Sequence, residues 1–303
     1  MNILGARKIW IAVSTLMVVA SIAAMALYGF RPGIDFAGGS LLEVRVGQAT
    51  DALPADTTVD GYLVETYKAA TGMDTIAQRE GEDQFLLKSK PITNEQKGAW
   101  LKSVRQALPN LTELRFESVS PTIGGEVVRK AVLAVILAVL AILLYLAYAF
   151  RRVPKPTSSW QFGMAAIVAL AHDAIILLGA YAVLGRFLGA EADSMFITAL
   201  LTLLGFSVHD TIVTFDRLRE NLLKRGASDF ENKMNDSIVE TITRSVNTSF
   251  TVALVLGAMV LMGGSTIFFF TLALLIGIVV GTYSSIFVAS PLLLWWYNLA
   301  NKR

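Results

Sequence analysis

Two doublets, His172-Asp173 in "ALAHDAIILLG" and His209-Asp210 in "GFSVHDTIVTF", stand inside long apolar runs. A carboxylate beside an imidazole can hold and pass protons, and histidine changes charge close to physiological pH. In lipid a carboxylate costs about 2.5–3.5 kcal/mol at a helix centre on insertion scales. Such a residue therefore implies a hydrated seam between helices, or a helix that ends there. Arg244, in "TITRSVNTSFT", lies at a depth comparable with Asp210 and would hold that acid ionised if the two met. Ser207 precedes the second doublet, and Asn247, Thr248, Ser249 and Thr251 follow the arginine, as uncharged hydrogen-bonding groups suited to a hydrated path. Each residue also has a plainer reading. Asp210 would be interfacial if its helix ended near Val208; His172 would be packing, with Asp173 bonded to a neighbouring helix; Arg244 would snorkel to the interface.

The surrounding composition narrows the chemistry. Zero cysteines exclude disulfides, iron–sulfur clusters and thiolate zinc sites, and the two histidines leave little for a metal. No nucleophile–base arrangement, phosphate loop or zinc-protease motif is present. The expectation is a non-enzyme with no cofactor, in which Asp210 is an ion or proton carrier facing other helices.

The elements that must carry these residues are membrane spans. Of 303 residues, 54% are hydrophobic and 17% charged, against about a quarter charged in soluble domains. A net charge of +2 without a long basic block gives no footing for a nucleic-acid partner. Six stretches approach the roughly 20 apolar residues that a bilayer core requires: Ile9–Tyr28, Val127–Phe150, Phe162–Leu184, Met195–Phe215, Val246–Met262 and Thr266–Ala289. Ala24-Met25-Ala26 mimics a cleavage site, but the apolar run is too long for a signal peptide and is read as an uncleaved helix. With the N-terminus inside, twelve Lys and Arg residues flank the cytoplasmic ends and four the outer ends. The positive-inside rule then places both termini in the cytoplasm.

The expected organisation is a tail and first span (1–30), an extracytoplasmic domain (31–126) and a five-helix bundle (127–303) with a cytoplasmic loop at 216–245. The soluble block reads β-α-β-β-α-β, a ferredoxin-like order. "LLEVRVG" alternates like a strand, and 57–70 has a helical face. Gly81 separates two hairpin strands, and Thr93 with Gln96 forms a capping box ahead of a helix reaching Leu108. "LTELRFESVS" supplies the last strand. "FDRLREN" opens a polar stretch read as a solvated charged face, with helices lying on the membrane. "GIVVG" (277–281), and Ala134 with Ala138, fit the small-xxx-small pattern of close helix approach.

"RPGIDFAGGS", "VSPTIGGEVV", "ALAHDAIILLG", "LLGFSVHDTIVTFDRLREN" and "SVNTSFT...GTYSSIFVASPLLLWW" together resemble, in order, the SecF family of bacterial protein-export membrane proteins. The characteristic residues are Gly33, Asp35, Gly38 and Gly39 after the first span, with Asp216 and Arg217 closing the fourth. The resemblance implies an α-helical polytopic membrane protein of six helices, half of an RND-like pseudo-symmetric unit completed by SecD. It implies location in the bacterial inner membrane and work beside the SecYEG channel on unfolded preproteins, with YajC and YidC as further partners. The proton-motive force would drive late-stage export, with Asp210 and Arg244 as the coupling pair. His209 departs from the family pattern, which has Asn before this acid; Phe206 replaces a Tyr. A titratable side chain beside Asp210 leaves the proton route open among His209, His172 and Asp173. Two rival readings stay in view: an RND-like lipid or drug transporter half, and a structural accessory subunit.

Overall fold

The computed structural model describes residues 2–47, 57–81, 83–154, 157–226 and 229–301. Lys155, Lys302 and Arg303, which enter the charge comparison above, lie outside the described residues. In chain order the elements are α1 (Arg7–Tyr28), α2 (Ile34–Ala37), β1 (Gly39–Arg45), α3 (Val59–Thr71), β2 (Thr75–Glu80), β3 (Gln84–Ser89), α4 (Asn94–Val104) and β4 (Thr112–Val119). They continue as α5 (Pro121–Ala149), α6 (Ser159–Leu188), α7 (Ser194–Arg225), α8 (Phe230–Met262), α9 (Ser265–Ser284), a π turn (Ser285–Ala289) and α10 (Ser290–Asn301). Among the described residues, six helices are long and apolar enough to cross a membrane. The chain divides into two compact units: Pro32–Ala131, and Met1–Arg31 with Val132–Arg303.

The smaller unit holds one antiparallel sheet in the order β2-β3-β1-β4, the arrangement that the β-α-β-β-α-β reading predicts. Leu42 and Val44 alternate toward the core and meet Leu63 and Tyr67 of α3 and Trp100 and Val104 of α4. Each helix starts on the cap its sequence offers. Thr58 accepts from the Gly61 amide at 3.3 Å, and Thr93 and Gln96 complete a reciprocal capping box. Helix α4 stops at Val104, short of the expected Leu108, which is buried after the final turn.

The two glycines of "FAGGS" are set by sterics. Gly38 (φ 74°) and Gly39 (φ 153°) have backbones that side chains with a Cβ rarely adopt. A Cβ on Gly38 would lie 2.8 Å from Pro121 Cα, and one on Gly124 would lie 2.7 Å from the Phe36 carbonyl oxygen. The turn from α2 into β1 therefore docks directly on the first turn of α5, and this requires glycine on both sides of the contact.

In the larger unit, α6 is wedged between neighbours at several close contacts. A Cβ on Gly179 would fall 2.3 Å from Ser21 Cβ, so α1 crosses α6 backbone to backbone. The Gly277-x-x-x-Gly281 spacing brings α9 onto α7: Cβ atoms there would lie 3.1 Å from Leu203 Cδ1 and 2.9 Å from Ser207 Cβ. Ala134 and Ala138 of α5 are half-buried.

Two expectations change. The stretch 216–245 is not mainly a loop: α7 runs on to Arg225 and α8 begins at Phe230. Phe215, Leu218 and Leu222 form a stripe that meets Phe230, Met234 and Ile238. Asn221 donates to Ser237 Oγ at 2.9 Å, and Arg217 pairs with Glu240 at 2.5 Å. Most of the charges lie on the outside of an antiparallel helix pair whose inner face is largely apolar; Lys233 is buried and donates to the Gly226 carbonyl at 2.8 Å. The second change is in the last span, which widens into the π turn before α10. Pro291 lacks the amide that would bond the Phe287 carbonyl, and a wide turn is one way for a helix to pass a proline.

Replacing Gly38 by Ala is expected to cost about 1–3 kcal/mol from backbone strain and overpacking, read as a lower thermal midpoint of the solubilised protein. Burial raises the Tyr67 phenol above its ordinary 10, although its hydroxyl lies 2.7 Å from Ser89 Oγ. A raised folded value makes Tyr67's contribution complete below pH 10 and lost as pH rises toward the folded value. Alkaline melts should show that loss in the smaller unit, and Tyr67→Phe should flatten it.

Candidate functional site

The two His-Asp doublets have different surroundings. Asp173 is wholly buried, and both of its oxygens have partners. His172 Nδ1 lies 2.9 Å from Oδ1, while Ser207 of α7 donates to Oδ2 at 2.5 Å and Ser284 of α9 donates to it at 2.7 Å. One carboxyl of α6 is thus bonded to two of the helices packed on it, α7 and α9. His172 is buried too; its Nε2 has no hydrogen-bond partner, and its ring stacks on Tyr283 with centroids 6.4 Å apart. Tyr283 in turn reaches α1: its hydroxyl lies 3.0 Å from Ser14 Oγ and donates to the Trp10 carbonyl at 3.2 Å.

Asp210 is also buried, at 3% exposure, but its Oδ2 has no hydrogen-bond partner among the described residues. Ser245 Oγ, from α8, is likewise buried and unpartnered. The groups acting on the Asp210 carboxyl are Ser245, His209, Ser249 and Arg244. No ion pair joins Asp210 to Arg244 among the described residues, and both Arg244 and His209 are exposed on the surface of this chain. Asn247 and Thr248 are exposed as well, while Ser249 is buried and accepts from Thr282 at 2.5 Å.

The structure therefore separates the predicted residues into two groups. Asp173, His172 and Ser207 come together deep in the bundle. Asp210, Arg244, His209, Asn247 and Thr248 line the α7/α8 flank, and Ser249 lies behind them. Asp216 and Arg217 stand farther along α7: Arg217 also pairs with Glu220 at 2.6 Å, and Asp216 with Arg219 at 3.4 Å. Gly33 is buried just before α2, Asp35 is half-buried in that helix's first turn, and Gly38 and Gly39 form the turn described above. Sequence reasoning missed Ser284, Tyr283 and Ser245. Their signal was a run of hydroxyls, "TYSS" and "TRS", in otherwise apolar helices.

No group of three or more His, Cys, Asp or Glu suited to a metal occurs among the described residues. A cavity of about 470 Å³ between Arg7, Lys8 and Ile11 on one side and Leu294, Trp295 and Asn298 on the other contains none of the site residues. Chemically, the arrangement can hold one carboxyl fixed and offer the other to a proton or to an incoming partner group. An unsatisfied buried oxygen is expensive.

Two family models match the chain: "Protein export membrane protein SecD/SecF, C-terminal" over residues 99–299 and "SecD/SecF GG motif" over 23–50. The protein translocase subunit SecF of Thermobaculum terrenum is 41% identical over 300 residues, covering 96% of this chain and 92% of that one. The protein translocase subunit SecDF of Thermus thermophilus is 34% identical over 302 residues, covering 98% of this chain and 38% of that one. Among solved structures, that of SecDF, a translocon-associated membrane protein from Thermus thermophilus, superposes with a TM-score of 0.79 at 33% identity, covering 98% of this chain and 39% of that chain. A super-membrane-facing form of SecDF superposes with a TM-score of 0.68 at 32% identity, covering 99% of this chain and 39% of the other.

Gly281→Val should force α9 away from Ser207, costing about 1–3 kcal/mol, and lower the thermal midpoint of the solubilised protein. Gly257→Ala, whose added Cβ would meet nothing within 4 Å, should not lower it.

Proposed function

We propose, on the premise that this chain belongs to the SecD/SecF family of protein export membrane proteins, that it is a SecF-type subunit of a Sec translocase in which Asp210 couples proton movement to preprotein export. The observation that carries the reading is the contrast between the two buried acids. Asp173 is fully bonded, whereas Asp210 keeps an unpartnered buried oxygen beside exposed His209 and Arg244. A fully bonded carboxylate is a poor proton carrier, because protonation disrupts its donors. An under-bonded one has little to lose.

The exposed Arg244, His209, Asn247 and Thr248 on membrane-spanning helices support a covering partner. Ionisable residues in such helices face other helices or water, not lipid tails. That partner is a SecD half, as in the fused SecDF relatives, of which this chain spans 39% of one solved chain. Arg244 then has two states open to it. It pairs with ionised Asp210 across the seam, or it turns away when Asp210 is protonated. Either change alters how α7 and α8 pack against the partner. The Pro32–Ala131 unit, placed on the outer face by the charge asymmetry, follows as a rigid body because its sheet and two helices share one core. A proton crossing the membrane supplies roughly 2.3 kcal/mol per 100 mV, enough to bias a two-state packing but not to unfold that core. The motor acts beside the SecYEG channel, after the ATP-driven stage.

The test is preprotein translocation into vesicles with and without a proton gradient, comparing wild type with Asp210→Asn at matched assembly with SecD. Loss of the gradient-dependent stage alone is expected. Export equal to wild type in both conditions would overturn the reading and leave this acid as helix glue.

A further inference from the structure

We propose that Asp173, which the coupling mechanism above does not use as a carrier, is the positioning residue that orients the Asp210 site, acting through Ser207; this rests on the export reading of the preceding section. Ser207 and Asp210 are three residues apart on α7 and so share a face; both are buried. Asp173 holds Ser207 at 2.5 Å and Ser284 at 2.7 Å on the same oxygen, which ties α7 and α9 together at one level of the bundle. Gly281 makes the arrangement possible. It is three residues before Ser284, and a Cβ there would meet Ser207 Cβ at 2.9 Å. The rotation of α7 about its axis is thus fixed one turn away from Asp210. That rotation decides whether the Asp210 carboxyl stays between the helices, near Ser245 and Ser249, or swings toward the exposed flank of His209 and Arg244.

Three further features fit a pin and not a relay. Asp173 has no exposure, so neither water nor a partner reaches it directly. The charged or titratable groups facing it are His172 of its own helix and Tyr283 stacked behind that ring. The π turn begins at Ser285, immediately after the second hydroxyl ligand, and lets Ser284 face α6 while α10 resumes beyond Pro291. Ser290 Oγ donates to the Ser285 carbonyl at 3.3 Å, helping to close the widened turn. π turns inside α-helices are found mostly at functional sites.

The experiment uses the SecD-assembled complex in proteoliposomes and compares wild type with Asp173→Asn, Ser207→Ala/Ser284→Ala and Asp210→Asn. Gradient-dependent export is measured across pH. Because the chain has no cysteine, Thr202→Cys and Val279→Cys, both at exposed positions on α7 and α9, give a unique spin-label pair that reports helix register without any export. The paired serine variant should lower gradient-dependent export about 10- to 100-fold, the scale of a site displaced by about 1 Å. It should also shift the pH midpoint of export and change the label distance. Asp173→Asn, which still places hydrogen-bonding atoms between the two hydroxyls, should keep most of the gradient response and the wild-type distance. Abolition of the response by Asp173→Asn with the distance unchanged would overturn the proposal, since Asp173 would then itself carry a proton. Rate, midpoint and distance all at wild type in the paired serine variant would overturn it as well. If Asp210→Asn exported normally, the export reading would fall, while a changed label distance would still report the pin.

Discussion

An apolar helix bundle tolerates a buried carboxylate when its oxygens are satisfied, and much of this chain's helical unit is arranged around meeting that requirement once. Asp173 draws a hydroxyl from each of two helices and an imidazole from its own. Satisfying it needs helix backbones closer than ordinary side chains allow. Gly281 supplies that approach directly at Ser207, and Gly277 does so one turn away at Leu203. In apolar surroundings such hydrogen bonds are stronger than in water, and their absence is correspondingly costly. The geometry around Asp173 therefore fixes which faces α7 and α9 turn inward, and this fixes where the second acid stands.

Asp210 is the opposite case. It is as buried as a core residue, yet one of its oxygens has no partner and its nearest charged neighbours face outward. The energetic logic of a half-unit accounts for that asymmetry. On the proposed reading, the surface with Arg244, His209, Asn247 and Thr248 is covered by the partner half, which would also supply the groups that complete Asp210. The SecDF relative of Thermus thermophilus is more than twice as long as this chain, which spans 38% of it.

What the sequence disclosed follows the range of the interactions involved. The capping box at Thr93 and Gln96 depends on residues three apart, and the structure shows it as read. The β-strands and the Gly277–Gly281 approach are also local patterns. The Asp173 network is not local: Ser284 lies 111 positions away, and periodicity does not reveal which of several serines turns toward a distant acid. How the stretch 216–245 packs is hidden for a related reason. Its charges are conspicuous, but the apolar stripes at Phe215, Leu218 and Leu222 and at Phe230, Met234 and Ile238 have meaning only once the two helices are seen side by side. The like depth of Asp210 and Arg244 does not say whether they touch, and no salt bridge joins them among the described residues.

The central claim is that Asp210, and not Asp173, changes protonation when a gradient is applied. The measurement that bears on it most directly is infrared difference spectroscopy of the assembled complex in vesicles, following the protonated-carboxyl stretch as the gradient is imposed. A band that responds to the gradient, vanishes in Asp210→Asn and persists in Asp173→Asn is the predicted result. A responding band that survives in Asp210→Asn and disappears in Asp173→Asn would contradict the account.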